Sequence, residues 1–262
     1  MNSIFNLDVL AGVLRTMITM ATPFLFASLG ETFSQLSGVL NLGVDGIMLL
    51  AGFLAFYVTL ITGNLWLGLF VAMITGLAMG LLMSLVSVTF KAQQGISGIG
   101  LQMFGLGMSS LLFKMLVGTV KTISGFQPIK IPLLGDIPFF GEVLFHHNAL
   151  VYIAFLLVPV AWWVIERTTL GLKIKAAGQN PAAVDSVGIN VDKIRYISVC
   201  IGSVLAGMAG ASISISISNL FQDNLTAGQG FIAVALVYFG GWTPVGVLGG
   251  ALLFSLANST QL

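Results

Sequence analysis

Long apolar runs separated by short polar stretches fill almost the whole 262-residue chain. A helix needs about 20 mostly apolar residues to cross a bilayer, and these runs reach that length. Spans are predicted at about 11–29, from an interrupted passage up to about 61, then at 66–90, 95–117, 149–165 and 196–218. Two shorter apolar pieces, 231–239 and 247–257, follow the polar break NLFQDNLTAGQG and flank the turn GGWTPVG. The expected fold is all-α: a polytopic membrane protein of about eight transmembrane helices, some broken or re-entrant. It forms one transmembrane domain over residues 1–262.

The interruptions carry the chemistry. Residues 30–53 are glycine-rich and place Glu31, Gln35, Asn41 and Asp45 beside a span, which suits a broken segment facing protein or water rather than lipid. Pro23 is tolerable in a membrane helix when neighbours satisfy the freed carbonyl. Gly76 and Gly80 give the third span a small-residue face, as do Ser203, Gly207 and Ala211 on the sixth. The run ASISISIS alternates like a strand. An open strand would leave its edges unsatisfied in lipid, so a helix with back-bonded serines is expected there. Lys91, Gln93 and Gln94 mark a polar turn, and Gln102 lies inside the fourth span.

Residues 119–148 contain Pro128, Pro132 and Pro138 and lack a clear period, so an ordered surface lid is expected. Within it, His146 and His147 read as exposed loop residues, since no carboxylate or cysteine is spaced to complete a metal site. Asn219, Gln222, Asp223 and Asn224 read as a solvated outer loop.

Composition narrows the class. The chain is 57% hydrophobic and 7% charged, where soluble domains carry about 25% charged residues. A net charge of +1 gives no reason to expect nucleic acid. The lone Cys200 excludes an intramolecular disulfide and reads as a small packing residue. The N-terminus has neither the basic region nor the cleavage site of a removable signal. The chain stops directly after an apolar run, so an incomplete last helix is expected. There is no phosphate loop ending in Gly-Lys-Ser/Thr and no serine-hydrolase elbow. The chain is therefore expected to be no enzyme and to need no cofactor or metal.

The longest polar passage, residues 166–195, holds Arg167, Lys173, Lys175, Lys193 and Arg195, five of the ten Lys and Arg residues. The positive-inside rule places it on the cytoplasmic side. Counting back puts Lys91 and the Glu31 region inside, and the proline loop and N-terminus outside. Inside this loop Asn180 can cap a helix that Pro181 starts and Gly188 ends, over about 181–187.

Here the residues resemble a family. TTLGLKIKAAGQNPAAVDSVGIN is similar to the cytoplasmic coupling loop of bacterial ABC-importer permeases of the branched-chain amino acid, ribose and nucleoside group. The match runs through Gly171, Ala176, Gly178, Asn180, Pro181, Ala182, Ala183, Gly188 and Ile189. Gln179 stands where glutamate is frequent, and Val184 and Val187 where alanine is. SGVLNLGVDGIMLLAG resembles the group's amino-terminal signature and GQGFIAVALVYFGGWTPVGVLGGALLF its carboxy-terminal one. Glu31, Asn41-Leu-Gly43 and Asp45-Gly46 look closest to the nucleoside-type, or simple-sugar-type, permeases.

The resemblance implies a multi-pass location in the bacterial inner membrane and a pathway shared with a second, different permease subunit. It also implies ABC ATPase subunits docked on the loop helix and an extracellular substrate-binding protein. A nucleoside or sugar pathway needs amide and hydroxyl partners, for which Gln35, Asn41, Gln93 and Gln102 are the candidates; Glu31 and Asp45 join them because a carboxylate inside a membrane is costly and a functional candidate by default. Each of the amides could equally satisfy a helix end, and Glu31 and Asp45 could bond backbone N–H groups or cap the next helix. A gradient-driven secondary transporter would share the broken helices but would not need the capped loop helix.

Overall fold

The computed structural model describes residues 7–130 and 140–260; Pro132 and Pro138 of the expected lid lie outside them. Among the described residues six helices are long and apolar enough to cross a membrane, and two shorter apolar helices accompany them. Helix α1 spans Leu7–Leu36, α2 Val44–Thr62 and α3 Leu65–Ser84, the last prolonged by a π-helical turn, Leu85–Thr89. Helix α4 spans Gln94–Leu116. A small lobe follows: strand β1 (Ile129–Lys130), helix α5 (Phe140–Leu144) and strand β2 (His146–His147), with β1 and β2 antiparallel. Then come α6 (Ala149–Arg167), α7 (Thr169–Gln179), α8 (Pro181–Ser186), α9 (Val191–Ser212), α10 (Gln229–Phe239) and α11 (Pro244–Ser259).

Helix α9 is the central pillar, packed against α1, α2 and α3. Small residues make this possible, because in lipid helices associate by close backbone approach rather than by hydrophobic drive. Gly30 of α1 meets Gly202, Gly76 and Gly80 of α3 meet Ser203, and Gly210 sits on the Met48 carbonyl of α2. A Cβ at any of these glycines would overlap backbone or the Ser203 side chain. The small faces read from the sequence are therefore the ones that lock the bundle. The serine run is helical, as expected, but wound as a π turn over Ile213–Ile217. Ser214 donates to the Gly52 carbonyl of α2 at 2.8 Å, so that hydroxyl is spent between helices.

Both predicted breaks fall within the expected passages, with different bounds and packing. Helix α1 does not stop at residue 29 but continues through Glu31 and Gln35 to Leu36, because Gly30 faces Gly202 rather than a turn. The real interruption is the short stretch 37–43. The second break is longer. After the π turn, residues 219–228 do not form a simple outer loop: Phe221 is fully buried among Phe53, Phe56 and Phe113. By Gly230 the chain has reached Asp45, eight residues or about 12 Å back along α2 from Phe53. Helix α10 follows directly. Gln222, Asp223 and Asn224 are exposed, whereas the Oδ1 of Asn219 is buried.

His147 also departs from expectation. It is 3% exposed, its Nε2–H donates to the Val143 carbonyl at 2.7 Å, and its backbone N–H donates to the Tyr152 hydroxyl. Burial holds its pKa below the usual histidine range, against the opposing pull of the Val143 carbonyl.

Candidate functional site

The 37–43 break is built by three local devices. Gly38, at φ +84°, takes the left-handed conformation that ends α1. The Asn41 side chain accepts the Gly43 N–H at 2.9 Å, a two-residue turn of the kind asparagine favours. Gln94, at the start of α4, accepts the Leu40 N–H at 2.9 Å and donates to the Gly38 carbonyl at 3.1 Å. One amide thus satisfies both halves of the open backbone.

Behind the break lies a carboxylate. Glu31 is 1% exposed, and its Oε1 accepts the Asn41 N–H at 3.0 Å and the Gln35 amide at 3.1 Å. The other end of Gln35 accepts the Trp242 indole N–H at 2.8 Å. Trp242 sits in the α10–α11 turn at φ +55° and packs edge-on against Tyr238. Thr243 caps the following helix, which Pro244 starts. The polar chain Trp242–Gln35–Glu31–Asn41 therefore ties the carboxy-terminal helices to the break.

Asp45, also 1% exposed, accepts the Gly230 N–H at 2.9 Å. Helix α10 has no cap of its own, since its N-cap residue is Gly228. The Asp45 carboxylate fills that role from a distant helix, where negative charge is favoured by the helix dipole. Gln102 is half-buried on α4, where the backbone of residues 101 and 102 lies against Gly46. Gln93 is exposed at the start of α4 and does not reach the break; its neighbour Gln94 does.

The polar loop is two helices rather than one. Thr168 caps α7 through the Gly171 N–H, and Gly171 fits because any Cβ would overlap the carbonyls of Val164 and Ile165. Buried Gly171, Ile174 and Ala177 mark the inward face of α7, a helical spacing the sequence carried unread. Asn180 caps α8 through the Ala183 N–H at 3.1 Å, Pro181 begins it, and Gly188 at φ +79° follows its end. Pro181, Ala182, Ala183 and Gly188 are exposed, and only Val184 is buried. Ala176 and Ala183 border an open groove of about 470 Å³ between α7 and α8.

Break and loop touch. Gly178 lies against Leu36 and Gly38, where a Cβ would overlap the Leu36 carbonyl. Beside it Arg195 donates from Nε to the Ser37 carbonyl at 3.2 Å. Of the sequence candidates, the structure gathers Glu31, Gln35, Asn41 and Gly178 at one end of the bundle. Gln94, Trp242 and Arg195 were missed as members; the helical register separating Gln94 from Gln93 was the one available signal.

Comparison with known proteins fits this architecture. Residues 13–262 match the family described as branched-chain amino acid transport system, permease component. The chain belongs to that family. It is 41% identical over 256 residues to a putative glucose ABC transporter permease protein of Haloferax volcanii, covering 96% of this chain and 77% of the relative. A guanosine ABC transporter permease protein of Bacillus subtilis is 34% identical, with 97% and 83% covered. A nucleoside ABC transporter permease protein of Lactococcus lactis is 31% identical, with 94% and 81% covered. No solved structure matches. The chain is thus the permease subunit of an ABC importer, a multi-pass protein of the cell membrane.

Proposed function

We propose that this permease carries nucleosides or related simple sugars and takes its energy from separate ATPase subunits docked on α8. The relatives named for guanosine, nucleosides and glucose support that substrate class. The observation that carries the coupling reading is the seat of Gly178 on Leu36 and Gly38. Movement of α7 and α8 would press directly on the end of α1 and on the break held by Gln94 and Arg195. In this reading residues 166–195 are cytoplasmic, a second and different permease subunit completes the pathway, and an extracellular binding protein delivers the solute.

The pathway side of the reading rests on Glu31, Gln35, Asn41, Asp45 and Gln102, with Gln93 at the entrance of α4. The stretch leading into α10 adds Asn219, Thr226 and Gln229, each with a buried side-chain oxygen that has no hydrogen-bond partner among the described residues. The test is uptake by the reconstituted subunits with labelled guanosine and glucose in competition. ATP-dependent nucleoside uptake is expected; ion-gradient-driven uptake by this chain alone would sink the proposal.

A further inference from the structure

A groove of about 450 Å³ opens on the bundle surface between α1, α3, α6 and α9. Its walls include Leu29, Phe33, Leu157, Val160, Val164 and Leu205, and every residue lining it is apolar. It follows α6 from Leu157 to Val164, about 10 Å of helix, and ends at Leu170 of α7. Leu170 also borders a second hollow of about 460 Å³, lined by Thr169, Lys173, Asn190 and Lys193. That hollow lies where α6 ends and α9 begins. Lys173 and Lys193 are exposed there, and among the described residues neither pairs with a carboxylate. Lys175, two residues beyond Lys173 on α7, is already paired with Glu166.

We propose that the two hollows are one binding site for an anionic phospholipid, with the headgroup between Lys173 and Lys193 and an acyl chain along α6. An apolar trough running from membrane depth to a two-lysine mouth matches a molecule with an anionic head and a hydrocarbon tail. Basic pockets between transmembrane helices hold such headgroups. The bound lipid would bridge α6, α7 and α9, and so brace the loop that α7 and α8 form. The site requires that α6 and α9 span a membrane; because Lys173 also borders the groove between α7 and α8, its test reads bound lipid rather than ATPase activity.

The test uses the assembled transporter, exchanged into an equal mixture of phosphatidylglycerol and phosphatidylcholine and read by native mass spectrometry. The wild-type protein is expected to retain phosphatidylglycerol preferentially. Lys173→Gln and Lys193→Gln should each lower that preference about fivefold, while Lys175→Gln leaves it unchanged. Val160→Trp, at a position 44% exposed, should remove the retained lipid of both kinds without unfolding the protein. Unchanged preference in the double lysine variant would overturn the proposal, as would lipid retention by Val160→Trp. Efficient cross-linking of Val160→Cys to a second permease subunit would also overturn it, by placing protein in the groove.

Discussion

The carboxylate of Asp45 accepts a hydrogen bond at 2.9 Å from the backbone N–H of Gly230, 185 residues further along the chain. A residue that the family resemblance brings forward as a pathway candidate is thus also the cap of α10. The two roles separate by experiment. Asp45→Asn keeps an acceptor but loses the charge at the helix terminus; Asp45→Ala loses both. Capping residues are worth about 0.5–2 kcal/mol over alanine, and a kcal/mol moves the melting temperature about 2–4 °C in a domain of 150–250 residues. Asp45→Ala should therefore melt several degrees lower, with Asp45→Asn between it and wild type. Loss of uptake in Asp45→Asn at an unchanged melting temperature would instead place the carboxylate on the solute.

Gln94 and Gln93 are neighbours with different fates. Gln94→Ala strips partners from the Leu40 N–H and the Gly38 carbonyl. Water reaches part of this site, so the cost should be about 1 kcal/mol, toward the lower end for an unsatisfied group. Gln93→Ala removes an exposed side chain and should stay within about 0.5 kcal/mol of wild type. Thermal melts of the two variants check the pair; equal losses would count against Gln94 as the clasp.

In the loop, position decides between packing and docking. Gly178→Leu forces atoms into the Leu36 carbonyl, and overpacking of that kind costs about 1–3 kcal/mol. Ala183 faces outward on α8, so Ala183→Arg should leave the melting temperature alone. We expect Gly178→Leu to lower both stability and ATPase stimulation, and Ala183→Arg to lower only stimulation. Full ATPase stimulation in Ala183→Arg would remove α8 from the contact.

Much of this was readable from the chain. The long spans declare themselves because lipid demands unbroken apolar length. The α8 helix does so because Asn180, Pro181 and Gly188 each act through local backbone chemistry. What escaped depends on partners far away in sequence. Gly30 looks like a helix end until Gly202 is seen to fill the space beside it. Residues 219–228 look like a solvated loop because their polarity hides the anchoring of Phe221 by Phe53 and Phe113. His147 looks exposed because nothing in its loop announces that the Thr19 hydroxyl, 128 residues earlier, will lie 3.3 Å from its Nδ1.

That burial gives His147 a pH signature. Its folded pKa lies below its unfolded value of about 6.5, so above that value both states are neutral and contribute no pH dependence. As pH falls from about 6.5 through the folded pKa, the unfolded state takes the proton first and stability is lost. His147→Gln should flatten this slope. Melting temperatures measured between pH 7.5 and 5 check it, and an identical acid slope in the variant would show that other groups set it.

The link between Trp242 and Gln35 tests whether the carboxy-terminal helices hold the break through a specific bond or through packing alone. Trp242→Phe keeps the aromatic face against Tyr238 but removes the indole N–H that Gln35 accepts. Gln35→Ala removes the acceptor and also the amide that reaches Glu31. If the bond matters, the two changes share a loss. The double variant should then be less destabilised than the sum of the singles, with a coupling of about 0.5–1.5 kcal/mol. Trp242→Phe alone should cost less than Gln35→Ala, because the tryptophan is 39% exposed and its N–H can turn to water. The glutamine, in contrast, leaves the Glu31 carboxylate with the Asn41 N–H alone among its recorded partners. Strict additivity in the cycle would assign the contact to packing, and the polar chain would then end at Gln35.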